Sequence, residues 1–338
     1  RLHAGWAEAL RRGGQPEAAL EHYTQALPHA DGILKLHLVY QMAALRTMNG
    51  ADPDAFSRWA LELGSELSDP WTLSAFRCVQ TFWEALYGNP TRARRCAAEG
   101  WSRLRHARGT DKVPPWLLDR ATIILARTHA LWGEWHLAQR YATQALTGNR
   151  ARDDAYGAAN AHITLAEAAY GLGQDDKATD HAQKALSEAE AAGDLRLQGK
   201  CVYVLASVIL RRASPKGVEP LMMRLLEIAE QTGDLEAYAR GQLLRAQLLQ
   251  RAGALDAARD LLQPLLAKAR GVGVPSYIVM ILRQLAEVQF AAGDVGDARV
   301  TIHQGLTLAC RCSMQHEETH LTALASNINQ GERPPSSR

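Results

Sequence analysis

An all-α solenoid of stacked antiparallel helix pairs is encoded here, and three features of the residues say so. One small-residue marker recurs every forty residues between Pro114 and Cys312, at Gly133, Gly173, Ala213, Gly253 and Gly293. Alanine stands seven residues before every marker (Ala126, Ala166, Ala206, Ala246, Ala286). It also stands five residues after four of them (Ala138, Ala178, Ala258, Ala298), with Val218 in the remaining unit. Apolar residues on both sides of the marker keep helical spacing. Self-similarity at such a period marks an array whose units bury their apolar faces only against their neighbours.

Within a unit, the marker glycine reads as a turn between two helices. The alanines fall where the helices must approach closely, because a larger side chain would hold the backbones apart. A later small or apolar doublet (Ala145-Leu146, Ala185-Leu186, Leu225-Leu226, Leu265-Leu266, Gly305-Leu306) continues the second helix. A second turn closes the unit at Gly193-Asp194, Gly233-Asp234 and near Gly273, where glycine ends one helix and aspartate caps the next.

In chain order, Leu2 to Arg12 and Pro16 to Leu27 form the first predicted pair around Gly13-Gly14. Ile33 to Asn49 and Pro53 to Glu66 form the second around Gly50, with Ala55 in the diagnostic place. Pro70 to Tyr87 and Pro90 to Ala107 form the third around Gly88, with Ala93. Each second helix has proline in its first turn, where the missing amide donor costs nothing. Residues 1–107 are thus an irregular N-terminal part, and the polar loop from Arg108 to Pro115 reads as a bend. Residues 114–312 are the regular repeats and residues 314–330 a polar capping helix. Together residues 1–330 make about eight pairs, and the Pro-Pro-Ser-Ser stretch places residues 331–338 in a disordered tail.

A net charge of +2 points to no polyanionic partner overall, and no run of eighteen apolar residues predicts a membrane span. The cysteines Cys78, Cys96, Cys201, Cys310 and Cys312 are odd in number and scattered, which fits reduced thiols in a cytoplasmic setting. The chain opens on Arg1 with no charged-then-apolar leader, so the reading expects a piece of a longer protein with a further domain upstream.

Leucine and small residues eight and seven before the turn, with alanines five and twelve after it, resemble the tetratricopeptide repeat over nearly the whole chain. The forty-residue period, longer than the standard ~34, and the Gly-Asp turns are similar to the sensor regions of MalT-type activators and other signalling ATPases, kinases and nucleotide cyclases. Unlike those activators, no helix-turn-helix follows the array, which argues against nucleic acid. The resemblance implies a right-handed superhelix whose first helices line a concave groove, at positions thirteen, ten, six, three and two before each turn. Those offsets put Arg120, Arg127, Asn160, Tyr170, Lys200, Tyr203, Arg211, Arg240, Gln247, Arg251 and Arg283 in the partner-binding groove. Seven of all the positions so chosen are basic and two, Glu167 and Glu287, acidic, so a basic groove is expected. Reversing Arg127 and Arg240 is then expected to leave stability nearly unchanged, as at surface positions. Ile123 with Arg127 does not reproduce the carboxylate clamp of some such domains.

No phosphate loop, dinucleotide fingerprint or nucleophile elbow is present, so no cofactor is expected. His316-Glu317-Glu318-Thr319-His320 satisfies H-E-x-x-H, which on a helix sets two imidazoles on one face to share zinc. Ala323 and Ser326 stand where the extended motif needs glycine and histidine, and on a continuous helix Cys312, His316 and His320 would form one stripe. The sequence therefore favours a solvated capping helix over a zinc peptidase. The tryptophans Trp6, Trp59, Trp71, Trp83, Trp101, Trp116, Trp132 and Trp135 read as interhelical fillers, and Cys310-x-Cys312 as buried thiols.

These features together predict a non-enzymatic module of a larger bacterial signalling protein. It would bind a protein, an acidic peptide or an anionic small ligand in the groove. Self-association through the convex face or the ends is the alternative.

Overall fold

The computed structural model describes residues 2–30, 69–107, 110, 113–212 and 217–330, with residues 34, 35, 37–39, 41, 42 and 45 between the first two stretches. The second predicted pair around Gly50, with Ala55 and Trp59, lies largely outside the described residues. So do Arg108 and Gly109 of the bend, the marker Ala213, and the tail 331–338.

The described residues form an all-α solenoid with no strand among them. Its pairs are α1 (Leu2–Arg12) with α2 (Pro16–Ala26), α3 (Pro70–Leu86) with α4 (Pro90–Leu104), and α5 (Pro115–Trp132) with α6 (Trp135–Arg150). There follow α7 (Ala155–Gly171) with α8 (Asp175–Ala191), α9 (Leu195–Arg211) with α10 (Val218–Thr232), and α11 (Leu235–Arg251) with α12 (Leu255–Val272). The last pair is α13 (Pro275–Ala292) with α14 (Val295–Arg311), capped by α15 (Gln315–Asn329). No described helix is long and apolar enough to cross a membrane.

The turns follow their chemistry. Gly133 and Gly293 close α5 and α13 at φ of 79° and 87°, in the left-handed region that a side chain disfavours. On the other side of the unit, Asp194 accepts the Leu197 amide at 3.1 Å and Asp234 accepts the Glu236 amide at 2.9 Å, capping α9 and α11.

Every described alanine of the repeating register is fully buried: Ala126, Ala166, Ala206, Ala246 and Ala286 on the first helices, and Ala138, Ala178, Ala258 and Ala298 on the second. Apolar clusters pass from one pair to the next. Ala166 and Ala169 meet Ala178 and Ala182 within a pair, and Val204 and Val208 of the following helix close the same cluster.

Three local expectations are corrected. Cys310 is exposed, because it sits on the outer side of α14, while the other four cysteines are buried. Ser313 takes a positive φ of 56° and breaks the chain between α14 and α15, so Cys312, His316 and His320 do not share one helix. Trp83 and Trp132 are buried fillers, but Trp6 is 64% exposed on α1.

Ala178→Arg is expected to cost about 3 kcal/mol or more, through overpacking and an unpaired buried charge. Chemical denaturation checks this, and an unchanged midpoint would contradict the repeat register.

Candidate functional site: an enclosed channel

The superhelix winds far enough for its successive turns to touch. Arg11 on α1 reaches Asp194, 183 residues on, at 3.1 Å. A Cβ placed on Gly133 would lie 2.9 Å from the backbone nitrogen of His316, one on Gly14 3.1 Å from the carbonyl of Gln231, and one on Gly88 2.8 Å from the Cys312 sulfur. Glycine at these turns is what lets the turns seat against each other. The first contact is an ionic cluster: Glu8 accepts from Arg11 at 2.8 Å, Arg12 at 3.0 Å and the Tyr23 hydroxyl at 2.9 Å. Burial alone would raise the Glu8 pKa, but these donors and the Arg11 charge outweigh it and hold the group at about 2.

The concave side is thereby enclosed as a channel of about 450 Å³. Of the predicted groove residues, Arg127, Asn160, Tyr170, Lys200, Tyr203, Arg211, Arg240, Gln247 and Arg283 all line it. Arg120 lines a smaller adjoining pocket instead, and Arg251 is exposed and lines neither. Glu287 also falls outside the lining, while Glu167 is part of it.

Guanidinium groups lie over aromatic rings along the wall. Arg127 sits 4.5 Å from the Phe82 centroid, Arg211 3.7 Å from Tyr170 and Arg240 4.6 Å from Tyr203. The expected basic bias is diluted, because helix starts and the opposing turn contribute Asp194, Asp234, Glu236 and Glu317 as well. Seven Arg or Lys and five carboxylates line the channel, an excess of two positive charges. Arg240 binds Glu236 at 2.8 Å and lies 3.5 Å from Glu167. Lys200 stands 3.9 Å from Glu236, and Arg283 binds Glu317 at 2.8 Å. Desolvation opposes ionisation of Glu236, yet the Arg240 and Lys200 charges prevail and hold it well below the usual carboxylate range.

The Arg240 side chain is only 18% exposed between two carboxylates, so reversing its charge is not stability-neutral. Breaking a buried pair typically costs about 3–5 kcal/mol.

Neither a protein-family profile nor a curated protein sequence matches the chain. Solved structures do. A Rap protein in complex with competence and sporulation factor shares 14% identity over 97% of this chain and 98% of its own, with a TM-score of 0.62. Aspartyl phosphate phosphatase F from Bacillus subtilis shares 14% identity over 100% and 94%, with a TM-score of 0.55. A signal transduction ATPase with numerous domains from Pyrococcus horikoshii, which carries a tetratricopeptide-repeat sensor, shares 13% over 95% of this chain, with a TM-score of 0.54.

The fold is that of the tetratricopeptide-repeat proteins.

This chain spans half the length of the Pyrococcus protein and nearly all of the other two. Several residues of the tetratricopeptide channel escape the single-repeat offsets: Arg11, Gln41, Phe82, Trp135, Tyr277 and His316. Trp135 and His316 come together across the turn contact, with ring centroids 5.2 Å apart. The indole also lies directly over Gly171, where a Cβ would overlap it.

The H-E-x-x-H residues His316, Glu317 and His320 lie on this wall. Glu317 is engaged by Arg283, and the His316 and His320 rings meet edge to face at 4.5 Å. No group of three or more His, Cys, Asp or Glu among the described residues is placed to hold a metal ion.

Burial, aided by the His320 and Arg283 charges, pulls His316 down to about 4. His162 falls to about 4 too, through burial and then the neighbouring His181, whose Nδ1 lies 2.9 Å from its own. The unfolded chain takes up these protons near pH 6.5 while the folded chain refuses them until about pH 4. Their contribution to stability is therefore complete above about pH 6.5 and lost as the pH falls toward 4. Calorimetry is expected to show a melting temperature that is flat from pH 8 to 7 and falls between 6.5 and 4.5, with a shallower fall in His162→Gln. Equal slopes in the two proteins would contradict it.

Proposed function

We propose that the chain is a non-catalytic binding module whose enclosed channel captures an extended segment of a protein or peptide. The observation that carries this reading is the channel wall itself. Successive first helices α5, α7, α9, α11 and α13 each present side chains to it, so the site is a line of repeated positions rather than a single constellation. Amides such as Asn160 and Gln247 suit the polar backbone of an extended chain, and the aromatic faces of Tyr170 and Tyr203 suit its side chains.

The carboxylates on the wall support a binding role over a catalytic one. Glu236 and Glu317 are held by arginines, and Asp194 and Asp234 cap helices. A carboxylate already committed to a cation or to backbone amides is a poor general base. The positive excess favours a segment with acidic character or an anionic small ligand.

In this reading the chain serves as the sensor or interaction part of a larger signalling protein. Two likenesses support that role: one to a signalling ATPase with a repeat sensor, and one to a Rap protein holding competence and sporulation factor. Both are likenesses of fold at 13–14% identity, so the ligand's chemistry is argued from this channel alone. Self-association through an end is the second reading, favoured by Leu2 and Trp6, which stand 83% and 64% exposed on α1.

The test is capture of fluorescent hexapeptides from a synthetic library by the purified chain. Ala130, on the channel wall clear of the ion pairs, is the place for a plug. Ala130→Trp is expected to weaken capture at least about tenfold with little change in melting temperature, while Lys177→Glu on the outside of α8 leaves capture intact. Affinity is expected to fall with salt for acidic peptides, since exposed charges are screened within about 10 Å at 0.1 M. Undiminished capture by the plugged protein, or no capture together with concentration-dependent dimers in sedimentation, would favour the self-association reading.

A further inference from the structure

The second helices of the pairs face outward, and charge is divided unevenly among them. Residues 90–105, which are α4 and the arginine after it, and residues 135–150 of α6 contain seven arginines and a single carboxylate, Glu99. In α8 the balance is reversed, with five carboxylates against two lysines. A net charge of +2 for the whole chain conceals this split.

The repeat register places the charges. Seven residues after the turn glycines Gly88, Gly133 and Gly173 stand Arg95, Arg140 and Asp180, and seventeen after them stand Arg105, Arg150 and Glu190. All six are exposed. Helices α4 and α6 are neighbours: Arg94 donates to Glu134, just before α6, at 2.8 Å, and Trp101 meets Tyr141 edge to face at 5.7 Å. Ten residues of helix span about 15 Å and adjacent helices lie about 10 Å apart. Arg95, Arg105, Arg140 and Arg150 thus mark the corners of one patch, with Arg103 exposed on it as well.

Pairing separates the two sides. On α8, Asp176 is bound by Arg212 at 2.5 Å, Asp180 by Lys184 at 2.7 Å and Glu190 by Arg224 at 2.7 Å. On the basic side, Arg92 and Arg94 are committed to Glu84 and Glu134. The other five arginines have Glu99 as the one carboxylate within their two helices, and it lies 3.9 Å from Arg95 and 3.6 Å from Arg77. Even with Asp153, just beyond α6, these arginines exceed carboxylates five to two. Arg103 and Arg150 each donate inward once, to the Pro70 carbonyl at 3.3 Å and to His162 at 3.1 Å, and a guanidinium has further N–H donors to offer.

The residues between the arginines choose the partner. Thr91, Ala98 and Ser102 on α4 and His136, Thr143 and Thr147 on α6 fill the exposed stripes, and neither helix exposes a large hydrophobic side chain. A protein interface is anchored by aromatic or apolar groups, and a membrane-surface helix by apolar side chains that enter the bilayer. This face offers neither. Arginine forks and hydroxyls are the groups that hold the phosphate oxygens of a nucleic-acid backbone.

We infer that the outer face of α4 and α6 binds the phosphate backbone of a nucleic acid without reading its sequence. None of the five arginines lines the channel, so the face is independent of what the channel holds. Backbone contacts of this kind position a protein without a helix in a groove, so they need no helix-turn-helix.

The probe is a fluorescein-labelled duplex DNA of random sequence, about twenty base pairs long, titrated with the whole chain and followed by anisotropy at several salt concentrations. Each phosphate contact contributes about −0.9 to the slope of log affinity against log salt, so four contacts give a slope of about −4. Arg95→Glu with Arg140→Glu is expected to weaken binding at least about tenfold and to flatten the slope by about two. Its melting temperature is expected to stay that of the parent, as at exposed positions. The same flattening is expected of Arg95→Gln with Arg140→Gln, which adds no carboxylate. Arg270→Glu, at the register of Arg105 and Arg150 but on α12, is expected to bind as the parent does. Tighter binding of single-stranded RNA, with the same loss in the double variants, would keep the face and identify RNA as its occupant. Parental affinity in both double variants would overturn the inference, and so would absence of binding by the parent at about 50 mM salt. Competition by polyglutamate as effective as by unlabelled duplex at equal charge would overturn it in favour of an acidic protein. Binding to phosphatidylserine vesicles without binding to either nucleic acid would overturn it in favour of a membrane surface.

Discussion

The distance at which paired helices can pack governs this molecule. Helices pack at 8–10 Å between axes according to the side chains at their contact, and the fully buried alanines of both helices set the near end of that range. Because the same small residues return every forty positions, each pair repeats nearly the same approach and rotation. The repetition sets the pitch of the superhelix. Arg11 meets Asp194 and Gly133 meets His316 across 183 residues, while Gly14 meets Gln231 across 217 and Gly88 meets Cys312 across 224.

That pitch turns a concave face into an enclosed channel. A single superhelical turn would leave the first helices facing open solvent, where a salt bridge contributes little. Stacking the next turn against the first takes the Arg240, Glu236 and Glu167 group and the Arg283 and Glu317 pair partly out of water, where removing one partner strands the other. The same contact joins elements far apart in the chain, as in the packing of Trp135 against His316. Glycines at the turns make the seating geometrically open, and the ionic cluster of Glu8, Arg11 and Asp194 makes it specific.

Much of this is legible in the residues. Helix ends, turn glycines, capping aspartates and the buried alanine register all depend on local chemistry within one unit, and so do the nine groove positions that reach the channel. What one unit cannot encode is the pitch. Arg11, Gln41 and His316 enter the wall because a distant turn passes there, and no offset within a repeat signals that. The charge balance was obscured for a related reason. Asp194, Asp234 and Glu236 sit at helix starts, where the sequence reads the two aspartates as caps, and only the three-dimensional course of the chain adds all three to the channel. Arg251 fails in the opposite way: its register matches Arg211 and both are exposed, but Arg211 lies over Tyr170 and pairs with Asp175 of the preceding repeat, which keeps it on the channel wall.

The internal pairing also decides how a ligand can be recognised. Displacing Arg240 from Glu236 to make a new ion pair would leave a carboxylate in a confined space, at a cost comparable to what the new contact returns. A segment entering the channel is therefore better served by lying along the stacked arginine and tyrosine faces without parting the pairs. Any charge it carries is then best placed where cations outnumber carboxylates locally. Near α11 and α13 the arginines already have acidic neighbours in Glu236 and Glu317, so an anionic group placed there would compete with them. Recognition by such a channel would be tolerant of sequence along the stacked arginine and tyrosine faces, because the ion pairs of the wall stay closed.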